Sequence, residues 1–311
     1  MGYNIYAEGV IMDLVVMAAG MGSRFGGLKQ IEPVDNDGNF IIDYSVYDAL
    51  RVGFDRVIFI IKRENLQIFQ KTIEKHIKNH IKVEYSFQDF EKLPEGVKIP
   101  EERKKPLGTG HAVWCARDKI LSHFAVINAD DFYGADSYKI LAGFLKGIKT
   151  DKENVLISYS AAKTIANSGC VKRGICKIAG GKLESITESV IEKRKDGLFA
   201  KSICDENGHV SQIAENQPVS MNMFGFNISF KDYLDKSFKN FIDKNKDNLT
   251  EKEFFLPSAA TELIESGEGD LYVLPTTATW YGITYRQDLD DVKMRIKEMK
   301  AKGIYPEHLW K

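Results

Sequence analysis

The chain has 311 residues, 43% of them hydrophobic and 28% charged, with a formal net charge of -1. This balance suits a soluble α/β protein built as one large domain or two modest ones, and it offers no basic footprint for nucleic acid. No apolar run reaches membrane-spanning length, because Asp13 interrupts the only candidate near the N-terminus. Cys115, Cys170, Cys176 and Cys204 lack metal-like spacing and read as reduced thiols, so the expected location is the cytoplasm.

Residues 1–11 precede a second methionine, Met12, and read as an extension outside the fold. From there the pattern alternates. Strands are predicted at Asp13–Ala18, Arg56–Ile61, Val83–Phe87 and Phe124–Asn128. Helices are predicted at Asp43–Val52, with Asp43 as cap and Gly53 as stop, at Glu64–Asn79, and at Gly108–Ile120 after a loop rich in proline and charge (Glu91–Pro106). This βαβ rhythm predicts a three-layer, Rossmann-like α/β fold with a mostly parallel sheet. After about residue 150 the reading becomes mixed. Strands are predicted at Val155–Ala161, Ile175–Ile178, Lys182–Thr187, Val219–Asn227 and Leu271–Pro275, the last leading into Trp280–Thr284, with a hairpin signal at Gly180-Gly181. Helices are predicted at Lys231–Lys244, Ser258–Glu265 and Asp288–Lys302. The expected plan is a nucleotide-binding half (12–150), an acceptor-binding half (151–285) and a C-terminal helix (286–311).

The most informative stretch is Leu14–Lys29. A buried-strand run ends in Ala18 and Ala19, then enters a loop holding Gly20, Gly22, Ser23, Arg24, Gly26, Gly27 and Lys29. Small residues let the backbone approach a ligand closely, and successive free N–H groups attract an anion. Arg24 can neutralise phosphate oxygens with a planar fork and Lys29 as a point charge. Two better-known phosphate loops do not fit. After Gly27 the Walker pattern needs Lys, but Leu28 stands there. The dinucleotide fingerprint needs a third glycine where Phe25 stands. What remains is a strand-to-loop site for a nucleoside triphosphate.

Together with that loop, Pro106-Leu107-Gly108-Thr109-Gly110-His111-Ala112-Val113 and Val126-Ile127-Asn128-Ala129-Asp130-Asp131 resemble the sugar nucleotidyltransferases, or nucleotide-sugar pyrophosphorylases. The resemblance continues through Met221–Phe226, Glu253–Pro257 and Trp280–Tyr285 to a less characterised bacterial branch. It implies the nucleotide-diphospho-sugar transferase type of mixed sheet. It also implies that Ala19, Gly20, Gly22, Ser23, Arg24 and Lys29 hold the triphosphate, that Gln88 reads the base edge, and that Gly108 and Thr109 close over the base. Asp130 would bind the catalytic Mg²⁺. Hard Mg²⁺ prefers one or two carboxylates plus phosphate oxygens, and Asp130 follows a strand beside the phosphate loop; Asp131 would support it by hydrogen bonds. For the acceptor, the resemblance implies Gly174, Glu188 and Asn222. His111 reads as a packed histidine.

Two departures stand out. The family commonly places a lysine after the glutamate, where this chain has Ser189; Lys172, Arg173 or Lys193 could hold the acceptor phosphate instead. The family also places a second metal-binding aspartate where this chain has Gly282. The expected function is Mg²⁺-dependent transfer of a nucleotidyl group from an NTP to a phosphorylated small-molecule acceptor, a sugar 1-phosphate by resemblance, with release of pyrophosphate. Arg24, Lys29 and Asp130 would carry the chemistry. Neither nucleic acid nor membrane is expected as a partner. A homo-oligomer, the base and the acceptor are open. Three alternatives stand beside this reading: a cytidylyltransferase acting on a phosphorylated alcohol such as phosphocholine, a glycosyltransferase of similar fold, and a catalytically dead nucleotide-binding subunit.

Overall fold

β1 (Met12–Met17) lies between β2 (Arg56–Ile61) and β4 (His123–Asn128), parallel to both, in a computed structural model that describes residues 11–20, 32–94, 96–103, 105–165, 170–203, 205, 208–283 and 286–311. Its side chains alternate between two apolar layers. Leu14 and Val16 pack with residues of α1 (Ile41–Arg51) and α5 (Ala135–Gly147), while Val15 packs with α4 (Thr109–Ala116), α6 (Phe230–Asn245) and α7 (Leu256–Glu265). A strand covered on both faces has no solvent side, so its sequence is apolar throughout instead of alternating. Asp13 is the exception, and it is fully buried. Its carboxylate accepts two bonds from Arg56, at 2.9 and 2.7 Å, and one from the Leu121 backbone at 2.9 Å, so the buried charge is paired.

Among the described residues the sheet has eleven strands. Its first part, β3 (Lys82–Phe87), β2, β1 and β4, is parallel. β11 (Pro218–Phe226) then runs antiparallel between β4 and β6 (Glu153–Ser160), and β12 (Asp270–Pro275) lies parallel to β6. β8 (Lys182–Arg194), β9 (Gly197–Ser202) and β10 (Val210–Ile213) extend it in antiparallel fashion, with β7 (Cys170–Ala179) bridging β11 and β8. One sheet therefore runs through both halves of the chain, and each apolar layer draws on both. A separate two-stranded antiparallel sheet of β5 (Asp131–Phe132) and β13 (Tyr281–Gly282) packs with α1, α8 (Arg286–Ala301) and Tyr305 in a third cluster.

Several boundaries differ from expectation for local reasons. Asp43 is not the cap of α1 but its third residue; its Oδ2 accepts the Phe40 N–H at 2.7 Å, and Phe40 takes the cap position. The helix expected at 64–79 is a composite of α2 (Leu66–Phe69), a π-helical turn (Gln70–Glu74) and α3 (Lys75–Ile77). Phe69, Ile73 and Ile77 are all fully buried at a spacing of four. A pure α-helix would drift by about 40° at each such step, and the wider π turn cancels part of that drift. α4 stops at Ala116, four residues early. β7 and β8 are longer than expected, and α5, β9 and β10 were not anticipated. In the stretch that follows the strand expected at Leu271–Pro275, the described residues form the two-residue β13. No described helix is long and apolar enough to cross a membrane.

Candidate active site

The carboxyl ends of β1, β2 and β4 are tied together where the strand-end loop begins. The Ala18 N–H donates to the Ile60 carbonyl at 2.8 Å, and the Ala129 N–H to the Met17 carbonyl at 3.1 Å. Above them opens a cleft of about 680 Å³ whose walls include Ala19, Gly20, Gln88, Gly108, Thr109, Asp130 and Asn222. Seven positions singled out in the sequence thus meet in one cavity at the place where open α/β sheets bind ligands. Gly22, Ser23, Arg24 and Lys29 lie outside the described residues.

One wall is a pair of backbone segments in tight contact. Gly108 has a positive φ of 100°, and a Cβ there would stand 2.6 Å from the Phe254 carbonyl oxygen. At Gly110 a Cβ would stand 2.6 Å from the Phe254 ring. The glycines of this block are therefore required by the approach of residues 253–256. The Gly110 N–H donates to the Phe254 carbonyl at 2.8 Å and is spent there, not on a ligand. The Thr109 hydroxyl accepts the Leu256 N–H at 3.0 Å, so it caps α7 and not its own helix. Arg103 fastens the arrangement from behind. Its guanidinium donates to the carbonyls of Lys105, Pro106, Leu249 and Lys252, at 2.6 to 2.8 Å.

Gln88 follows β3 and reaches across to this wall, its Nε2 donating to the Gly108 carbonyl at 2.8 Å. A carbonyl only accepts, so the contact fixes the amide orientation and leaves Oε1 as the acceptor face of the side chain. His111 is fully buried among Phe90, Trp114 and Phe238, and burial pushes its imidazole down to about 4. It is a neutral packing residue.

On the opposite wall stand Asp130, Asn128 and Asn222. Asp131 turns away from the cleft and is buried; its Oδ2 accepts from Asn128 Nδ2 at 2.7 Å and from the Tyr133 hydroxyl at 3.2 Å. The Tyr133 hydroxyl also lies 3.0 Å from the Met221 carbonyl. Next to Met221, Asn222 has a φ of 59° inside an irregularity of β11, where the register with β6 shifts between Ser220 and Phe224. A non-glycine residue held there is strained, and such strain gathers at functional sites. Asp131 and Tyr133 thus brace the two asparagines that flank Asp130. Among the described residues no three His, Cys, Asp or Glu side chains cluster as a metal cage. One carboxylate, with the side chains of Asn128 and Asn222 lining the same cleft, is a donor set that fits Mg²⁺ completed by phosphate and water.

Gly174 and Glu188 do not line this cleft. They face each other across β7 and β8, and Gly174 also pairs with Ser220 of β11, two residues from Asn222. A Cβ at Gly174 would stand 2.6 Å from Ile186 and 3.3 Å from Glu188 Oε1. Burial raises the Glu188 carboxyl above its ordinary range, opposed by Lys172 and Arg173. Arg173 is no solvated strand end: its guanidinium lies 4.6 Å from the centre of the Trp280 ring. At Gly282, which pairs with Asp131, a Cβ would stand 2.3 Å from the Trp280 ring.

Sequence reasoning passed over Asn128, Lys105 and Glu253, which also line the cleft. Asn128 ends β4 one residue before the Ala129-Asp130 turn, so the strand-end position was its available signal. Lys105 and Glu253 sit in loops whose approach is set by Arg103 and Phe254, with no local signal.

The profile of the nucleotidyl transferase family matches residues 14–298. Over 187 residues the chain is 31% identical to the UTP–glucose-1-phosphate uridylyltransferase YngB of Bacillus subtilis, covering 52% of this chain and 60% of that protein. Over 143 residues it is 27% identical to another B. subtilis UTP–glucose-1-phosphate uridylyltransferase, covering 41% and 47%. The chain therefore spans about half to three fifths of the length of these curated relatives. The fold superposes on the inositol-1-phosphate CTP transferase of T. maritima with a TM-score of 0.63 at 13% identity, covering 94% of this chain and 97% of that one. A Bacillus anthracis protein provisionally described as a glucose-1-phosphate thymidylyltransferase, in complex with sucrose, gives 0.62 at 14% identity, covering 92% and 96%. Because the family profile runs from β1 into α8, and so takes in the cleft together with the strands that flank it, the chain belongs to the nucleotidyl transferase family.

Proposed function

We propose that this protein transfers a uridylyl or thymidylyl group from the triphosphate to a sugar 1-phosphate, releasing pyrophosphate. The observation that carries this reading is the cleft itself, which joins the start of the strand-end loop, the Gln88–Gly108 pair and Asp130 in one cavity. The names of the curated relatives support UTP and glucose 1-phosphate as the first substrates to test.

Gln88 supports the choice of base. Its Nε2 is committed to the Gly108 carbonyl, so it offers an acceptor to the ligand. Uracil and thymine present a ring N–H donor at N3, whereas cytosine presents an acceptor there.

In the reaction, an oxygen of the acceptor phosphate attacks the α-phosphorus in line. The bond from that phosphorus to the bridging oxygen breaks, and its electron pair leaves on pyrophosphate. The nucleophile is already an anion, so no general base is needed, and the protein's task is positioning and charge stabilisation. Asp130, flanked by Asn128 and Asn222, would hold Mg²⁺, which when bound neutralises charge on the α-phosphate. Arg24 and Lys29 would act on the same charge. The acceptor would approach along β7, β8 and β11, past Gly174, Glu188 and Asn222. A cytoplasmic enzyme that makes a nucleotide sugar fits these features.

The test is pyrophosphate release over a grid of ATP, GTP, CTP, UTP and dTTP against phosphorylated acceptors, with Mg²⁺. UTP or dTTP with a sugar 1-phosphate is expected to lead in kcat/KM. Equal values for all five nucleotides would refute the role of Gln88, and no release with any pair would refute the reading.

A further inference from the structure

Arg103 is buried although it is a cation, and its four acceptors among the described residues are all main-chain carbonyls. Two of them, on Lys105 and Pro106, lie just ahead of Gly108. The other two, on Leu249 and Lys252, lie 146 and 149 residues away along the chain, just ahead of Phe254. Burial works against the charge and lowers the guanidinium from its ordinary range, with Glu253 opposing. A buried cation is costly unless its donors are satisfied, and the planar fork of arginine serves several acceptors at once in a fixed geometry. The carbonyls it joins belong to the two segments that form one wall of the cleft, where Lys105, Pro106, Gly108, Thr109 and Glu253 line the cavity.

Beyond Arg103 the two segments are zipped together. The Phe254 N–H donates to the Leu107 carbonyl at 2.6 Å, the Gly110 N–H to the Phe254 carbonyl at 2.8 Å, and the Leu256 N–H to the Thr109 hydroxyl at 3.0 Å. Between these contacts stands the Gly108 carbonyl, which accepts from Gln88 Nε2 at 2.8 Å. The Gln88 end of that bond is fixed separately. Its backbone N–H donates to the Ile61 carbonyl at 3.0 Å. Arg63 donates to Asp89 at 2.7 Å and lies 4.4 Å from the centre of the Phe87 ring, so both chain neighbours of Gln88 are held. The amide therefore keeps one orientation only while the Gly108 carbonyl stays where the zipped segments put it. Turned over, Gln88 would set Oε1 against that carbonyl, acceptor against acceptor, and would offer Nε2 to the cleft as a donor. The N3–H of uracil suits the first orientation, and the N3 acceptor of cytosine suits the second.

We propose that Arg103 is a positioning residue for base selection. By fastening residues 105–106 to residues 249–252 it holds the Gly108 carbonyl in place, and that carbonyl keeps Gln88 in the orientation that accepts from uracil or thymine and rejects cytosine. The proposal rests on the role of Gln88 in the proposed function and goes beyond it, because it places the control of that role behind the wall, on a side chain only 6% exposed.

The test measures the binding of UMP and CMP by calorimetry, to the full chain and to Arg103→Gln, Arg103→Lys, Gln88→Ala and the double variant Arg103→Gln with Gln88→Ala. Monophosphates report on the base without requiring turnover. The parent is expected to prefer UMP by roughly tenfold, the size of one amide–carbonyl hydrogen bond. Arg103→Gln should bring that preference within about threefold, and Arg103→Lys, which lacks the planar fork, should fall between. In Gln88→Ala the preference should already be lost, and adding Arg103→Gln should not change it further. In turnover, the UTP-over-CTP ratio of kcat/KM should fall in Arg103→Gln while the KM for glucose 1-phosphate stays within about twofold. A purely structural arginine would lower the melting temperature or all affinities together and leave the ratio between the bases alone. Thermal melting identifies a variant that fails to fold, in which case Arg103→Lys carries the test. An unchanged UMP-over-CMP ratio in folded Arg103→Gln, or in Arg103→Lys where it alone folds, would overturn the proposal, as would an equal change with and without Gln88. No preference in the parent would overturn the role of Gln88 and the proposal together. An Arg103-dependent preference without pyrophosphate release from any NTP would overturn the proposed function and leave the positioning role standing.

Discussion

Replacing Asp48 by asparagine should make the protein more stable at alkaline pH and leave it unchanged in acid. Asp48 lies on the buried side of α1, and burial pushes its carboxyl from the ordinary 3.8 up to about 7, against the Tyr305 hydroxyl and Arg51. The Tyr305 hydroxyl donates to Oδ2 at 2.6 Å, while Oδ1 is buried without a partner among the described residues. Because the folded-state value lies above the unfolded one, the group's contribution is fully present below about pH 3.8 and is lost as pH rises through about 7. At about 1.4 kcal/mol per pH unit across that interval, the loss is ~4 kcal/mol. For a chain of this size that corresponds to about 6 °C in Tm. The amide of Asp48→Asn would keep the acceptor for Tyr305 and mimic the protonated acid, so the variant should match the parent near pH 4 and melt about 6 °C higher near pH 8. The assay is thermal unfolding of both proteins from about pH 4 to about pH 8.5, the interval that spans the titration. An offset that does not change with pH, or a variant less stable than the parent at the alkaline end, would refute the argument. The effect bears on the site because Tyr305 packs edge-on against Phe132, next to Asp131.

Asp130→Asn should lower kcat by roughly a thousandfold while leaving Tm near that of the parent, because it removes charge from the proposed Mg²⁺ position without altering shape; near-native turnover would remove Asp130 from the mechanism. Gly108→Ala should cost roughly 2–4 kcal/mol in urea unfolding and raise the NTP KM, since the new Cβ would strike the Phe254 carbonyl at a positive φ; a loss under about 0.5 kcal/mol would mean that the two segments separate easily. Lys29→Ala should reduce kcat more than NTP affinity, because charge builds on the leaving pyrophosphate in the transition state. Unchanged kinetics would make Lys29 a surface cation.

What the sequence by itself determined lies where local chemistry and burial agree. β2 could be read to the residue, Arg56–Ile61, because a strand buried on both faces is apolar without interruption. The strand–glycine–cation pattern after Leu14 predicts a phosphate loop, which beyond Gly20 lies outside the described residues, and Asp130 and Gln88, each following a strand of the parallel set, do line one cleft. The tertiary structure alone decided the rest. The sequence placed Gly108 and Gly110 at the start of a helix; they are there because Phe254, far along the chain, presses its carbonyl and ring against them. Asp43 read as a cap because capping is local, whereas its buried carboxylate also receives Trp310 Nε1 at 3.1 Å from the far end of the chain. Gly282 looked like a missing ligand, and its meaning came only when Trp280 was seen filling that space with Arg173 stacked upon it. Contacts of this kind join residues far apart in the chain, and periodicity and propensity report only on neighbours along it.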